Sequence, residues 1–161
     1  MLGIKRGDKM KLSTKGKYGL RAMIDLARYS EKEPVPICKI AERQSLSERY
    51  LEQLMSLLRK NGLIRSVRGA GGGYVLARDA SEISVGDVLR ALEGSLEPVD
   101  CDGFNPDGEC EAAGECVTKY VWRKINESIN RTVDEMKLDT LVKESRQLSG
   151  SDRSHAKKCD Q

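Results

Sequence analysis

The architecture of this chain follows from residues 37–77, ICKIAERQSLSERYLEQLMSLLRKNGLIRSVRGAGGGYVLA. Apolar residues recur there at helical spacing over Ile37–Arg43 and again over Glu48–Asn61, with a short turn between the two patterns. Ser47 is a favourable N-cap for the second helix, and Asn61-Gly62 is a strong C-terminal stop. The inward positions of that helix are Leu51, Leu54, Met55 and Leu58. Two helices joined by a tight turn are typical of a helix-turn-helix.

Two short runs of strand-forming residues follow the second helix directly. They are Leu63–Val67 and Tyr74–Ala77, and the glycine-rich segment Arg68–Gly73 joins them. This arrangement predicts a β-hairpin wing. A nucleotide-binding loop is the less favoured alternative, because the segment has neither a Gly-x-Gly-x-x-Gly spacing before a helix nor a Lys-Ser/Thr pair. A glycine-rich tip permits close approach to phosphates, and Arg68 at its base can enter a minor groove.

The outward face of the second helix is polar and mixed in charge. It carries Arg49, Tyr50, Glu52, Gln53 and Arg59. A carboxylate accepts from cytosine N4, glutamine pairs with adenine, and arginine pairs with guanine or phosphate. A solvated helix face has a similar composition, so this helix alone leaves both interpretations open. The adjacent wing favours a recognition helix that binds double-stranded DNA.

Further helices are predicted on both sides of this unit. Ser13 or Thr14 can cap a helix that runs to about Ser30. Ser84 can cap another helix, which Gly94 ends. The predicted fold class is therefore mainly α with a small β-hairpin wing.

The predicted organisation has five parts. Residues 1–9 lack periodicity and are expected to form a disordered extension, and residues 10–95 form a winged helix-turn-helix DNA-binding domain. Residues 96–118 form a cysteine loop. A long C-terminal dimerisation helix occupies 119–142, and 143–161 is expected to be a disordered tail because it is polar and aperiodic.

The long helix has one narrow apolar stripe. The helical pattern runs over Val117–Leu138, and its stripe consists of Trp122, Ile125, Ile129, Val133 and Met136. A narrow stripe at the end of a small domain suits a two-helix dimer seam, so we expect a homodimer through residues 119–138. Packing on its own domain is the alternative. Asp139 is expected to cap a short final turn.

Three cysteines lie in a segment that is too polar to bury a core. Cys101, Cys110 and Cys116 are separated mainly by Gly, Asp and Glu, so another agent must order the loop. Their spacing, Cys-x8-Cys-x5-Cys, differs from that of zinc ribbons and from that of ferredoxins. From these residues alone, an iron–sulfur cluster, a zinc ion, a reversible disulfide and unligated thiols remain open.

The charge distribution separates the front of the chain from its middle. Residues 1–80 carry 17 Lys and Arg against 8 Asp and Glu, whereas residues 81–118 carry 1 against 10. A basic front half suits a polyanion such as nucleic acid. The only histidine, His155, lies in the tail with Cys159, and the absence of a nucleophile–base pair disfavours catalysis. No apolar run approaches the ~20 residues of a membrane helix, and no signal segment is apparent, so we expect a cytoplasmic protein.

The quoted patterns resemble one family. MKLSTKGKYGLRAM at 10–23, the stretch from Ile40 to Leu89 with its RGAGGGY wing, and a cysteine loop before a Cys-Val-Thr-x3-Trp helix are similar to the IscR-type winged-helix regulators. Their relatives include NsrR and RirA, in the iron–sulfur branch of the Rrf regulator family. The resemblance covers about residues 10–142. It implies a homodimeric repressor or dual regulator whose labile iron–sulfur cluster sets DNA affinity or site choice.

The resemblance also implies roles for DNA-binding positions. The residues that fall where the family reads base edges are Ser47, Tyr50, Glu52 and Gln53. Glu52 matches the residue that adjusts DNA choice between cluster-bound and cluster-free forms. Arg68 falls where the family enters the minor groove. Arg49 replaces a small hydroxyl residue, so the preferred operator is expected to differ.

For the cluster, the resemblance assigns Cys101, Cys110 and Cys116 as ligands. The fourth ligand differs from the known patterns, because Lys119 replaces a histidine of one branch and Lys17 replaces an aspartate of another. Protonated lysine is a poor iron ligand. The remaining candidates are a water, a small thiol, or a loop carboxylate from Asp102, Asp107, Glu109, Glu111 or Glu115. The cluster type, 2Fe–2S or 4Fe–4S, stays open.

Taken with the resemblance, the sequence predicts an iron–sulfur-cluster-responsive DNA-binding transcriptional regulator of iron–sulfur biogenesis, iron or redox-stress genes. Iron–sulfur assembly proteins are the expected cluster donors. The alternative is a cluster-free winged-helix repressor controlled by thiol oxidation or by a partner protein, for example in cysteine metabolism. A structural zinc on the same cysteines is a further alternative.

Overall fold

The structure is a computed structural model that describes residues 12–99, 101 and 115–149. The described residues form six helices and one two-stranded antiparallel sheet. In chain order the elements are α1 (Thr14–Tyr29), α2 (Ile37–Gln44), α3 (Glu48–Lys60), β1 (Ile64–Val67), β2 (Gly73–Leu76), α4 (Val85–Glu93), α5 (Thr118–Glu135) and α6 (Leu138–Ser149). The predicted fold class, mainly α with a β-hairpin wing, is confirmed. None of the described helices is long and apolar enough to cross a membrane.

Hydroxyl caps begin three of the helices, as the sequence predicts. Ser13 Oγ accepts from the N–H of Lys15 at the start of α1, and Ser47 Oγ accepts from the N–H of Tyr50 at the start of α3. Ser84 begins α4 with a capping box, in which Ser84 and Asp87 exchange two bonds of 3.0 Å. These bonds satisfy N–H groups that have no partner within the helix.

The core is aliphatic and lies between the helices of the helix-turn-helix and the helices that flank it. Its largest fully buried side chains are Met23, Leu26, Ile40, Leu51, Leu54, Met55, Leu58, Ile64, Ile83, Val88 and Leu138. All four inward positions predicted for α3 belong to this set. The turn between α2 and α3 depends on Ser45, whose left-handed φ of 55° reverses the chain.

The hairpin is anchored to the segment between α1 and α2, which pairs with β2 like a short third strand. β1 and β2 pair from Ile64 opposite Leu76 to Val67 opposite Gly73. On the other side of β2, Val35 and Tyr74 exchange two backbone hydrogen bonds of 2.9 Å. A Cβ on Gly73 would collide with the Val35 backbone, so this close approach requires glycine. The wing therefore has a fixed base.

The C-terminal helical region differs from the prediction. The helix expected to continue to Leu138 ends at Glu135, and a separate helix, α6, extends to Ser149 through residues expected to belong to a disordered tail. The reason is a strand-like contact: Val85 N–H donates to the Met136 carbonyl (2.8 Å), and Leu138 N–H donates to the Ile83 carbonyl (3.0 Å).

Burial of one face keeps α6 on the domain. Leu138 is fully buried and Val142 is 5% exposed, and α6 packs against α1. The short final turn expected after Asp139 is therefore a complete helix. The predicted extension 1–9 and tail residues 150–161 lie outside the described residues.

Candidate nucleic-acid interface and cysteine centre

The polar side chains predicted on α3 lie on its exposed face. Those that are exposed are Ser47, Arg49, Glu52, Gln53 and Arg59, and Tyr50 is half-buried. The structure thus brings together, on one capped helix, all six candidate residues outside the wing. Their hydrogen-bonding groups can reach base edges or phosphates if this helix enters a major groove.

Tyr50 links the recognition helix to α1. Its ring meets that of Tyr18 edge to face, with centroids 6.3 Å apart and planes at 88°. Burial raises the pKa of the Tyr50 hydroxyl, and Tyr18 and Glu93 add smaller contributions in the same direction. Tyr50 therefore stays neutral near pH 7 and is available as a hydrogen-bond donor.

The wing extends the cationic surface beyond α3. Arg59 Nη1 donates to Ser66 Oγ on β1 (3.4 Å), which joins the recognition helix to the hairpin. Gly69 has a φ of 113°, and the N–H of Gly72 donates to the Gly69 carbonyl (2.9 Å) in the tight turn beside the exposed Arg68. The exposed cations of α3 and the hairpin are Arg49, Arg59, Lys60, Arg65 and Arg68. Such a surface suits the phosphate backbone of DNA.

Cys116 lies immediately before α5, where its thiol contacts the first residue of the helix. Its Sγ is 3.1 Å from Thr118 Oγ1. The hydrogen bond with Thr118 lowers the pKa of the Cys116 thiol, and the backbone N–H and charge of Lys119 act in the same direction. A lowered pKa favours the thiolate, which is the form that ligates metal. The donor chemistry at this position therefore fits an iron–sulfur or zinc ligand.

The complete three-cysteine set is not described by the structure. Cys101 is half-buried, and Cys110 lies outside the described residues. Within residues 12–99, 101 and 115–149 no group of three metal-ligating side chains occurs. Lys17 and Lys119, at the two positions where the resemblance led us to expect a fourth ligand, lie over the rings of Tyr18 and Tyr120, each at 5.4 Å.

The fourth-ligand candidates are mostly beyond the described residues as well. Glu115 is exposed beside Cys116. The other four loop carboxylates lie in the segment that is not described, and they are Asp102, Asp107, Glu109 and Glu111.

Sequence reasoning missed two polar contacts on α4. Arg90 makes bonds of 2.7 and 2.9 Å to Asp134 and of 2.6 Å to Asn130, which fixes the end of α5 on α4. Glu93 binds the beginning of α1. Neither pair has a signal in the local sequence, because the partners are 40 or more residues apart.

A family comparison decides the class of protein. The model of the Rrf2 family, described as an iron-dependent transcriptional regulator, matches residues 12–144. The chain belongs to the Rrf2 family. The resemblance to IscR-type regulators, noted from the wing and the α3 sequence, is thereby confirmed.

Individual relatives agree with this placement. The proteins named HTH-type transcriptional regulator IscR in Cronobacter sakazakii and Escherichia coli O1:K1 are 44% identical to the chain over 146 residues, which is 91% of the chain and 88% of each relative. The T. potens IscR structure has a TM-score of 0.68 and 45% identity, and the match covers 90% of this chain and 93% of the IscR chain. The B. subtilis CymR structure, titled the global cysteine regulator, has a TM-score of 0.69 and 40% identity, and the match covers 83% of this chain and 97% of the CymR chain.

These comparisons settle the general activity. This Rrf2-family chain is a winged-helix transcriptional regulator and DNA-binding protein, and it is not an enzyme.

Proposed function

We propose that this regulator is controlled by an iron–sulfur cluster held by Cys101, Cys110 and Cys116. The observation that carries the proposal is the position of Cys116 immediately before α5, with its Sγ 3.1 Å from the hydroxyl of Thr118, the first residue of that helix. The family description as iron-dependent and the similarity to IscR support iron rather than zinc. The cluster type and the fourth ligand are left open by this proposal.

The bound cluster would supply a labile, oxidant-sensitive link between the three thiolates. The residues of the chain supply the remainder of the switch. Because Cys116 adjoins α5 and Arg90 fixes the other end of α5 on α4, ordering of the cysteine segment is transmitted to the winged domain. A small rotation of two recognition helices in a dimer changes the half-site spacing, to which operator affinity is sensitive.

The proposed active form is a homodimer joined through α5. No residue of α5 is fully buried within the protomer. Of the predicted apolar stripe, Ile125 and Met136 are exposed, whereas Trp122, Ile129 and Val133 are half-buried and Val133 packs on the cluster of Val85, Leu89 and Leu96. The other exposed apolar residues on or beside α5 are Val117, Tyr120 and Val121. A second copy of this helix is the proposed cover for that surface. We place the dimer in the cytoplasm, as a repressor or dual regulator that receives its cluster from iron–sulfur assembly proteins.

The proposed DNA contacts follow from the exposed face of α3 and the wing. Tyr50, Glu52 and Gln53, with the cap residue Ser47, are proposed to read base edges in the major groove. Arg49 and Arg59 bind phosphates or guanine, and Arg68 enters the minor groove.

The proposal is tested by replacing the three cysteines together with alanine. The triple variant should lose iron, sulfide and visible absorbance, and its operator affinity should no longer change on anaerobic reconstitution. Cys38→Ala is the matched control, because Cys38 is half-buried in α2 and lies outside the cysteine segment. Loss of the cluster from the Cys38 variant, or unchanged reconstitution of the triple variant, would contradict the assignment.

A second candidate function has specific support from solved structures. One relative is a Staphylococcus aureus CymR captured in an oxidized form, with 41% identity and a TM-score of 0.63. Control by thiol oxidation without a cluster is therefore the alternative proposal. It predicts that iron-free protein changes its operator affinity reversibly with hydrogen peroxide and dithiothreitol. An unchanged affinity under both treatments would eliminate this alternative.

A further inference from the structure

The end of α4 and the beginning of α1 are joined through one carboxylate oxygen. Glu93 Oε1 accepts from the N–H of Ser13 (2.9 Å), from the hydroxyl of Ser13 (2.6 Å) and from the N–H of Gly16 (2.8 Å). The carboxylate thus satisfies N–H groups at the first turn of α1 that a helix leaves unpaired, and its charge is favourable at that end of the helix dipole. We call these three bonds the Glu93 clasp.

Two glycines make the clasp sterically feasible. A Cβ on Gly16 would lie 2.5 Å from Glu93 Oε1, and a Cβ on Gly19 would collide with Leu92. Both glycines lie one turn apart on α1, on the face that meets α4. Since glycine is unfavourable in a helix interior, these positions cost helix stability and allow the two helices to approach closely.

One side of the clasp leads to the recognition helix. Tyr18, in the second turn of α1, packs edge to face on Tyr50 of α3 at 6.3 Å. Tyr50 is one of the side chains proposed to read base edges. A displacement of the first turns of α1 therefore moves a contact that positions the DNA-reading face.

The other side of the clasp leads to the cysteine segment. Glu93 is the last residue of α4, and Gly94 turns the chain with a φ of 83°. Leu96 then anchors the chain, with 5% exposure, in a small cluster with Val85 and Leu89. Only a few residues separate this anchor from Cys101.

We infer that Glu93 is a positioning residue that couples the state of the cysteine segment to the recognition helix through the first turn of α1. The inference rests on the proposed function for the identity of the physiological signal. The mechanical link itself requires only that the cysteine segment has two states. Loss of the clasp should leave a protein that still binds DNA, and its affinity should no longer depend on which state the segment adopts.

The experiment compares operator affinity between states of the segment. All proteins carry Cys38→Ala and Cys159→Ala, so that only the three segment thiols react. Each protein is prepared metal-free and reduced, alkylated with N-ethylmaleimide, and reconstituted anaerobically with iron and sulfide. Fluorescence anisotropy with an operator fragment selected in vitro gives the affinity of each state, and absorbance reports whether a cluster formed.

With the clasp intact, the affinity should differ at least about fivefold between two of these states, which is the low end of usual coupling between sites. In Glu93→Ala the operator affinities of the three states should become equal within about twofold. The same result is expected for Gly16→Ala, because its new methyl group displaces the Glu93 carboxylate, although alanine favours the helix more than glycine does. The double variant Gly16→Ala/Glu93→Ala should show the same affinities as Glu93→Ala alone, because the two substitutions remove the same interaction. Glu82→Ala removes a charge from an exposed residue just before α4, outside the cysteine loop, and should retain the state dependence.

A merely structural role for Glu93 would lower stability and affinity in all states alike and leave their ratio unchanged, which would overturn the inference. A ratio in Glu93→Ala equal to that in Glu82→Ala, or no state dependence in the protein with an intact clasp, would also overturn it. Failure of the proposed function has a different signature, because the protein would take up no cluster while the alkylated and reduced states still test the clasp.

Discussion

The carboxylate of Asp25 in α1 is held by the guanidinium of Arg43 in α2 through two bonds of 2.6 and 2.8 Å. Gln44 adds a third bond of 3.0 Å, and the Arg43 guanidinium lies 4.1 Å from the centre of the Tyr29 ring. The Asp25 side chain is only 4% exposed, whereas that of Arg43 is 30% exposed. The Asp25–Arg43 ion pair therefore joins α2, the first helix of the helix-turn-helix, to α1 through a buried carboxylate.

Arg43→Ala should lower the free energy of unfolding by about 3 kcal/mol, because it leaves the buried Asp25 carboxylate without its main partner. Urea unfolding followed by circular dichroism measures this change. The matched control is Arg146→Ala, which breaks the exposed pair with Glu31 and should cost less than about 1 kcal/mol. Similar losses in the two variants would contradict a structural role for the buried pair.

Leu138→Ala should destabilise the protein by about 2–5 kcal/mol, since Leu138 is fully buried where α6 begins. Leu148→Ala, near the end of the same helix, should change stability by less than about 0.5 kcal/mol because Leu148 is 76% exposed. Thermal unfolding of both variants measures the contrast. Equal stabilities would show that α6 does not pack on the domain as described.

Local signals explain why much of the fold was predictable. The caps Ser13, Ser47 and Ser84 and the glycine-rich turn of the wing act within a few residues, so their sequence patterns are sufficient. The end of α5 was not predictable by the same means. Its apolar spacing continues to Met136, but the backbone there pairs with residues 83–85, about 50 positions earlier.

In the candidate site, too, features set by local sequence were predictable, and contacts between distant helices were not. The exposed positions of Arg49, Glu52, Gln53 and Arg59 on α3 follow from helical spacing. Tyr50, expected on the same outward face, is half-buried because it packs on Tyr18 of α1. The Glu93 clasp and the Arg90–Asp134 pair depend on how α4 packs against α1 and α5, which no local pattern specifies. Asp25 did have a sequence signal, since it is a charged residue directly before the buried Leu26 in α1, and its partner Arg43 lies on the next helix.

Arg68→Ala should weaken operator binding and reduce the slope of log affinity against log salt by about 1, because one cationic contact with DNA is lost. Fluorescence anisotropy at several salt concentrations measures both quantities. Lys143→Ala removes an exposed cation from α6 and should leave the slope unchanged. A slope that is the same for Arg68→Ala and for the unmodified protein would place Arg68 outside the interface.

Acid should loosen α5 from α4. The hydrogen bond with Arg90 lowers the pKa of Asp134, so the pair contributes stability above the ordinary carboxyl pKa of 3.8 and loses it as pH falls through the lowered value. Asp134→Asn should therefore be less stable than the unmodified protein at neutral pH, and their stabilities should converge as pH falls through the lowered pKa of Asp134. Unfolding measured at several pH values gives both curves, and a constant difference would contradict this account.

The most direct measurement of the central proposal is the visible absorption spectrum of protein purified without oxygen, combined with iron and sulfide analysis. We expect a brown protein that absorbs broadly at roughly 320–420 nm, as thiolate-ligated clusters do, with stoichiometric iron and sulfide. Exposure to air should bleach the spectrum and change operator affinity together. A protein that stays colourless after reconstitution, or that contains zinc instead of iron, would contradict control by an iron–sulfur cluster.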